Sequence, residues 1–189
     1  MQRQLVERAR SGDHDAFSDL ATTSIGRLYA IATLILRDGD RAQDAVQEAL
    51  VAAWRDVRAL RDPDAWDAWL HRLTVRACTR LARKERRRDL VELHVTLDAD
   101  PMAPGDLALS LAERDRLERE LGRLPIDQRT VMVLHFYLDL PLTDAAEILD
   151  IPIGTAKSRL HRGLEALRSS TGLTSETRSL EPIHPERTA

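Results

Sequence analysis

An all-helical fold in two small units is the architecture the sequence predicts. The 189 residues are 43% hydrophobic and 31% charged but only 4% aromatic. Such a leucine-, alanine- and arginine-rich mixture suits helices better than strands, which draw on β-branched and aromatic residues. Apolar residues recur at helical spacing as far as Arg88. A stretch rich in Asp, Pro and Gly then separates that half from a second helical one, and units of ~60 to 80 residues can fold alone when each buries its own core.

The elements follow in order. A first helix covers Arg3 to Arg10 and is stopped by Ser11-Gly12-Asp13; a longer one carries Phe17, Leu20, Ile25, Leu28, Ile31, Ala32 and Ile35 on its apolar side. Arg37-Asp38-Gly39-Asp40 breaks it, and Asp40 is the expected N-cap of a helix bearing Ala42, Ala45, Val46, Ala49, Leu50, Ala53, Trp54 and Val57 at i, i+3, i+4 spacing. Asp62-Pro63-Asp64 opens a fourth helix, with proline where a missing N–H costs little, and Trp66, Trp69, Leu70, Leu73, Ala77 and Leu81 lead into a run of arginines. The domain organisation expected from this is 1–88 as a first unit, 89–106 as a flexible acidic linker, 107–168 as a second unit and 169–189 as a disordered tail, too poor in apolar residues to offset its ordering entropy. Helices in the second unit are expected at Leu107 to Leu121, Ile126 to Leu138, Thr143 to Leu149 and Ile153 to Arg168.

Composition excludes some functions. A single cysteine, Cys78, gives neither an internal disulfide nor a thiolate zinc site. The six histidines show no metal-ligand spacing, and no phosphate loop or nucleophile motif is present, so no metal, no cofactor and no enzymatic activity are expected. No apolar run reaches the ~18 to 20 residues that cross a bilayer and no signal-peptide core is seen, so a cytoplasmic protein without membrane insertion is expected.

The formal net charge of −3 hides a strong asymmetry. Between Arg72 and Arg88 eight basic residues face one acid, Glu85. Arg72, Arg76, Arg80, Arg83 and Arg87 form one stripe of their helix beside Trp69. Cationic side chains track phosphates and exposed aromatics stack unpaired bases, a combination suited to single-stranded nucleic acid. Trp66 and Trp69 read equally well as core residues. In the second unit, Leu149-Asp150-Ile151-Pro152-Ile153-Gly154 is the turn of a helix-turn-helix. At 100° per residue Ile153, Ala156, Leu160, Leu164 and Leu167 form the inner face of its second helix. Thr155, Ser158, His161, Arg162 and Glu165 point outward, flanked by Lys157 and Arg159, a set that suits major-groove entry. Asp150 tolerates the left-handed backbone this turn needs, whereas Pro141 stands where a capping side chain is usual. On the third helix Asp44, Gln47 and Glu48 make an acidic face around an outward Val51, which reads either as a solvated surface or as a protein-binding patch.

Four strings, in this order, resemble bacterial sigma factors of the extracytoplasmic-function group: Gln43-Asp44-Ala45-Val46-Gln47-Glu48-Ala49-Leu50, Trp69-Leu70-His71-Arg72-Leu73, Leu124-Pro125-Ile126-Asp127-Gln128-Arg129, and Ile151 to Arg162. The resemblance covers about Asp13 to Arg168. It implies a sigma-2-like unit that binds core RNA polymerase and melts the minus-ten element, and a sigma-4-like unit that reads the minus-thirty-five element. It places Asp44, Gln47 and Glu48 on the β′ coiled coil of the polymerase. It matches Lys157, Ser158, His161 and Arg162 to the positions that face minus-thirty-five DNA, and the outward face read above adds Thr155 and Arg159. The basic and aromatic edge, Trp66, Trp69, Arg72, Arg76, Arg80 and Arg83, is then expected at minus-ten DNA, although Arg76 and Arg80 stand where the family often has Asn and Asp. The loop Arg58 to Asp64 resembles the segment that accepts a flipped base. The polymerase β flap and an anti-sigma factor are further partners it implies. The alternative is a stand-alone helix-turn-helix regulator, although no long dimerisation helix is evident for one.

Overall fold

The computed structural model describes residues 1–91 and 119–171, with side chains at 1–86 and 119–170. The described residues are helical, without strands, as expected. Helix α1 spans Gln2–Arg10, α2 His14–Leu36, α3 Gly39–Asp56 and α4 Trp66–Val91; single 3₁₀ turns at Val57–Ala59 and Pro63–Ala65 join α3 to α4. Helical residues 119–123 precede α5 (Ile126–Met132), a π-helical turn (Val133–Tyr137), α6 (Leu142–Leu149) and α7 (Ile153–Thr171). Helix α4 runs three residues into the expected linker and α7 three residues into the expected tail. The rest of both segments, with most of the helix expected from Leu107, lies outside the described residues.

Local chemistry sets the starts and stops. Asp13 caps α2, its carboxylate accepting from the Ala16 amide at 3.0 Å. That bond, with Arg8 beside it, holds the Asp13 carboxyl below its usual range. Arg37 ends α2 in the left-handed region at φ 58°, and the chain restarts at once. The cap of α3 is Asp38, which accepts from the Arg41 amide at 3.0 Å; the expected cap, Asp40, lies inside the first turn, because the break occupies only Arg37 and Asp38. Asp62 accepts from the Asp64 amide at 3.0 Å, but a 3₁₀ turn intervenes and the α-helix begins only at Trp66.

Helices α2, α3 and α4 pack on one another and α1 lies against α2. Their core holds Leu28, Ile31, Ile35, Trp66, Leu70 and Val75, all fully buried. Ile25, expected on the inner side of α2, is 48% exposed. In the second half α5 and α6 pack on α7. Gly163 allows the close approach of α5 and α7, since a methyl there would meet Met132 Sδ at 2.7 Å. The buried set is continuous across the two halves: α2 meets α5, α4 meets α6, and Val131, Leu134, Ile148 and Leu149 belong to the same apolar cluster as Trp66 and Leu70.

Candidate nucleic-acid interface

Three surfaces carry the residues singled out in the sequence. The first is the outer face of α3. Asp44 and Gln47 are exposed, Glu48 is half-buried, and Val51 stands 68% exposed among them. Glu48 accepts from the Arg80 guanidinium of α4, so one acid of this face is tied to one base of the arginine stripe. A second link between the same helices joins Arg41 to Glu85.

The second surface is α4. Arg72, Arg76, Arg80 and Arg83 are exposed, separated by single helical turns. Trp69 is half-buried beside them, its ring 5.6 Å from that of Trp66. Trp66 departs from expectation. It is 0% exposed, edge-on to Phe17 at 6.0 Å, and has no face to offer a base. Its reading as a nucleic-acid contact is therefore corrected: at the very start of α4 it packs against Phe17 of α2 and is sealed from solvent. His71 is partly buried, and burial, with the Arg27 charge adding and Asp67 opposing, pushes its pKa below the usual range. Cys78 is buried and its thiol is pushed up to about 12, chiefly by burial, which makes it a poor nucleophile.

The third surface is α7. Asp150 takes φ 54°, as the turn requires, and Pro141 supplies no side-chain cap to α6. Lys157, Ser158, His161 and Arg162 point outward and exposed, while Thr155 is half-buried. The Ser158 hydroxyl donates to the Gly154 and Thr155 carbonyls at 3.0 and 3.1 Å, and His161 Nε2 lies 3.2 Å from Glu165. Ile153, expected inside, is 39% exposed at the mouth of the turn. Arg159 turns away from the outer face and lies 3.6 Å from Asp127 of α5.

Asp127 is the residue that sequence reasoning missed. It receives Arg86 of α4 at 3.3 Å as well as Arg159, and sits in a shallow seam with Ala82, Arg83, Ile126 and Leu149. Nothing in its local spacing signals this, because its partners lie 41 residues before it and 32 after. The residues assigned to two DNA elements thus border one seam between the halves of the chain.

Among the described residues, no group of His, Cys, Asp or Glu is placed to hold a metal ion, and no helix is long and apolar enough to cross a membrane. Comparison with known proteins accords with this arrangement. The family model for sigma-70 region 2 matches residues 20–88 and that for sigma-70 region 4 matches residues 114–167. The RNA polymerase sigma-H factor of Pseudomonas aeruginosa is 31% identical, over 87% of this chain and 91% of its own length. The ECF RNA polymerase sigma factor SigW of Bacillus subtilis is 29% identical, over 89% and 95%. Among solved structures, the sigma factor RpoE of Bartonella quintana, in complex with the anti-sigma factor NepR, aligns with a TM-score of 0.66 at 25% identity, over 84% of this chain and 98% of that one. The chain belongs to the sigma-70 family, among the extracytoplasmic-function RNA polymerase sigma factors. It is a transcription initiation factor, and the stand-alone regulator is set aside: a lone helix-turn-helix protein has no reason to carry a region 2 over residues 20–88.

Proposed function

We propose that the chain directs promoter-specific initiation by docking on core RNA polymerase through Asp44, Gln47 and Glu48 and by contacting DNA through two further surfaces. Residues 1–88 serve the polymerase and the minus-ten element, and 107–168 serve the minus-thirty-five element, with 89–106 as the tether between them. The β′ coiled coil meets the exposed acids of α3. The melted strand runs along Trp69, Arg72, Arg76, Arg80 and Arg83, where phosphates meet cations and Trp69 supplies the aromatic surface. The loop Arg58 to Asp64 accepts a flipped base. Lys157, Ser158, His161 and Arg162 enter the upstream major groove, with Thr155 and Arg159 at its edge. The polymerase β flap holds the second unit, and all bond-making belongs to the polymerase. An anti-sigma factor completes the set of partners, a reading supported by the complex in which the similar RpoE was solved. The cytoplasm, where the polymerase works, is the compartment this reading gives.

The observation that carries it is the order of the two family matches in one chain, region 2 before region 4, each over the surface that bears its outward residues. The test is pull-down and run-off transcription with purified core polymerase on a promoter library. Asp44→Lys with Glu48→Lys should abolish core binding while the circular dichroism spectrum stays unchanged. Retained pull-down by the double variant would remove α3 from the interface. Wild-type protein that leaves the start sites of core polymerase unaltered would sink the reading as a whole.

A further inference from the structure

Charge does not balance on the far side of the seam. Arg129 of α5 is 7% exposed, yet its guanidinium donates only from Nη1 to the Gly122 carbonyl, at 3.1 Å, and its Nε has no partner. Arg41 of α3 gives one nitrogen to Glu85, and its Nε too is buried without a partner. Arg37, at the end of α2, lies over Gly122 so closely that a methyl there would collide with its guanidinium. It makes no ion pair with any described residue. The three cations feel one another: burial first, then Arg37 and Arg41, lower the Arg129 pKa to about 10.

Buried cations are ordinarily paired, and a buried donor without a partner calls for an ion or a water. Among the described residues Glu85 is the one carboxylate paired with any of these three guanidiniums, which leaves a site of net positive charge suited to a dianion such as phosphate. Guanidinium forks match phosphate oxygens in geometry, and charge-assisted bonds of this kind are the strong ones. Arg129 is too buried for a duplex backbone to reach, whereas exposed Arg37 gives a small anion a way in.

We propose that Arg37, Arg41 and Arg129 form a binding site for a phosphate dianion, either inorganic or the terminal group of a small phosphorylated molecule. Such an anion bridges α2 and α3 of the first half to α5 of the second, so occupancy favours the packed arrangement of the two. The site stands apart from the promoter reading, and its test needs neither polymerase nor DNA.

The test is thermal unfolding and titration calorimetry of the full chain in sodium phosphate and in adenosine monophosphate, against sodium chloride of equal ionic strength. Phosphate at about a hundredfold excess over Kd should raise Tm by roughly 5 to 10 °C. Arg37→Gln, which removes an exposed side chain, should weaken phosphate binding ~10-fold while leaving Tm in chloride within about a degree, a loss in line with one charge-assisted contact. Arg129→Met should abolish binding, and if it does not fold, Arg37→Gln decides alone. Tighter binding of the nucleotide assigns the site to a phosphorylated molecule, and equal binding assigns it to the free ion. An equal Tm rise in chloride overturns the proposal, as does a phosphate effect unchanged in Arg37→Gln, which would be general salt stabilisation. A rise with a random DNA duplex but none with phosphate overturns it too.

Discussion

Trp66 and Trp69 stand one turn apart on α4, a spacing that puts both on roughly the same side of the helix, yet one is sealed and the other half open. Phe17 of α2 closes over Trp66, and Pro63 in the 3₁₀ turn before it is also buried. Trp66→Ala should therefore cost ~3 to 5 kcal/mol of stability, the usual range for emptying a buried aromatic site. Trp66→Phe should cost clearly less, since it keeps most of the ring and removes the indole N–H, which has no partner in the core. Urea unfolding of the two variants checks this; an unchanged midpoint for Trp66→Ala would return the residue to the surface. Helical spacing put Trp69 beside the arginines and left both tryptophans open to a core reading, because the outcome depends on how far α2 stands from the first turn of α4. The pairing of Arg80 with Glu48 was hidden for the same reason. It joins residues proposed for different partners, so the acid proposed to meet the polymerase is partly neutralised by a base proposed to meet DNA.

Single turns decide the geometry of each element. Every helix of the first half was legible from apolar spacing to within a few residues, because α3 buries one continuous stripe and α2 buries its apolar side except around Ile25. The π-helical turn at Val133–Tyr137 was not, since a widened turn leaves the apolar pattern of Ile126 to Leu138 nearly unchanged. The turn between α6 and α7 was legible in its left-handed residue, though not in Ile153, which stays exposed: Asp150 donates its amide to the Glu147 carbonyl at 3.2 Å while that of Ile151 reaches Ala146 at 3.1 Å. A residue with a Cβ is strained at φ 54°, and aspartate tolerates it better than alanine. Asp150→Gly should thus be at least as stable as wild type, and Asp150→Ala should lose about 1 kcal/mol. Thermal unfolding compares them, and equal stability of the two variants would mean that the turn relaxes its backbone. Because α7 hangs on this turn, Asp150→Ala should also weaken binding to a minus-thirty-five duplex, whereas Asp150→Gly should leave it intact.

The two halves meet through a seam that no local pattern announced. An acidic tether between two self-sufficient units implied independence, and the packing of α4 against α6 and of α2 against α5 shows contact. Asp127 is central to that contact, receiving Arg86 from one side and Arg159 from the other, with Ile126, Leu149 and Ala82 as its apolar floor. Both ion pairs involve half-exposed groups, so each contributes only ~0 to 1 kcal/mol and weakens with salt. Shape and sign together still matter, since removing the acid leaves Arg83, Arg86 and Arg159 facing one another. Arg83 and Arg159 are also residues proposed to touch DNA, and a side chain in the seam cannot lie on a phosphate at the same time. Asp127→Arg should therefore drive the halves apart, raising the radius of gyration by a few ångström above that of wild type, for which a compact chain of this length gives roughly 16 Å. The same variant should bind a minus-thirty-five duplex several-fold more tightly than wild type in the absence of polymerase, with the larger gain at low salt. Small-angle scattering and fluorescence anisotropy read the two effects separately. Expansion without a gain in DNA affinity would show that the seam joins the halves without masking them, and a gain without expansion would show that Asp127 merely repelled the phosphates.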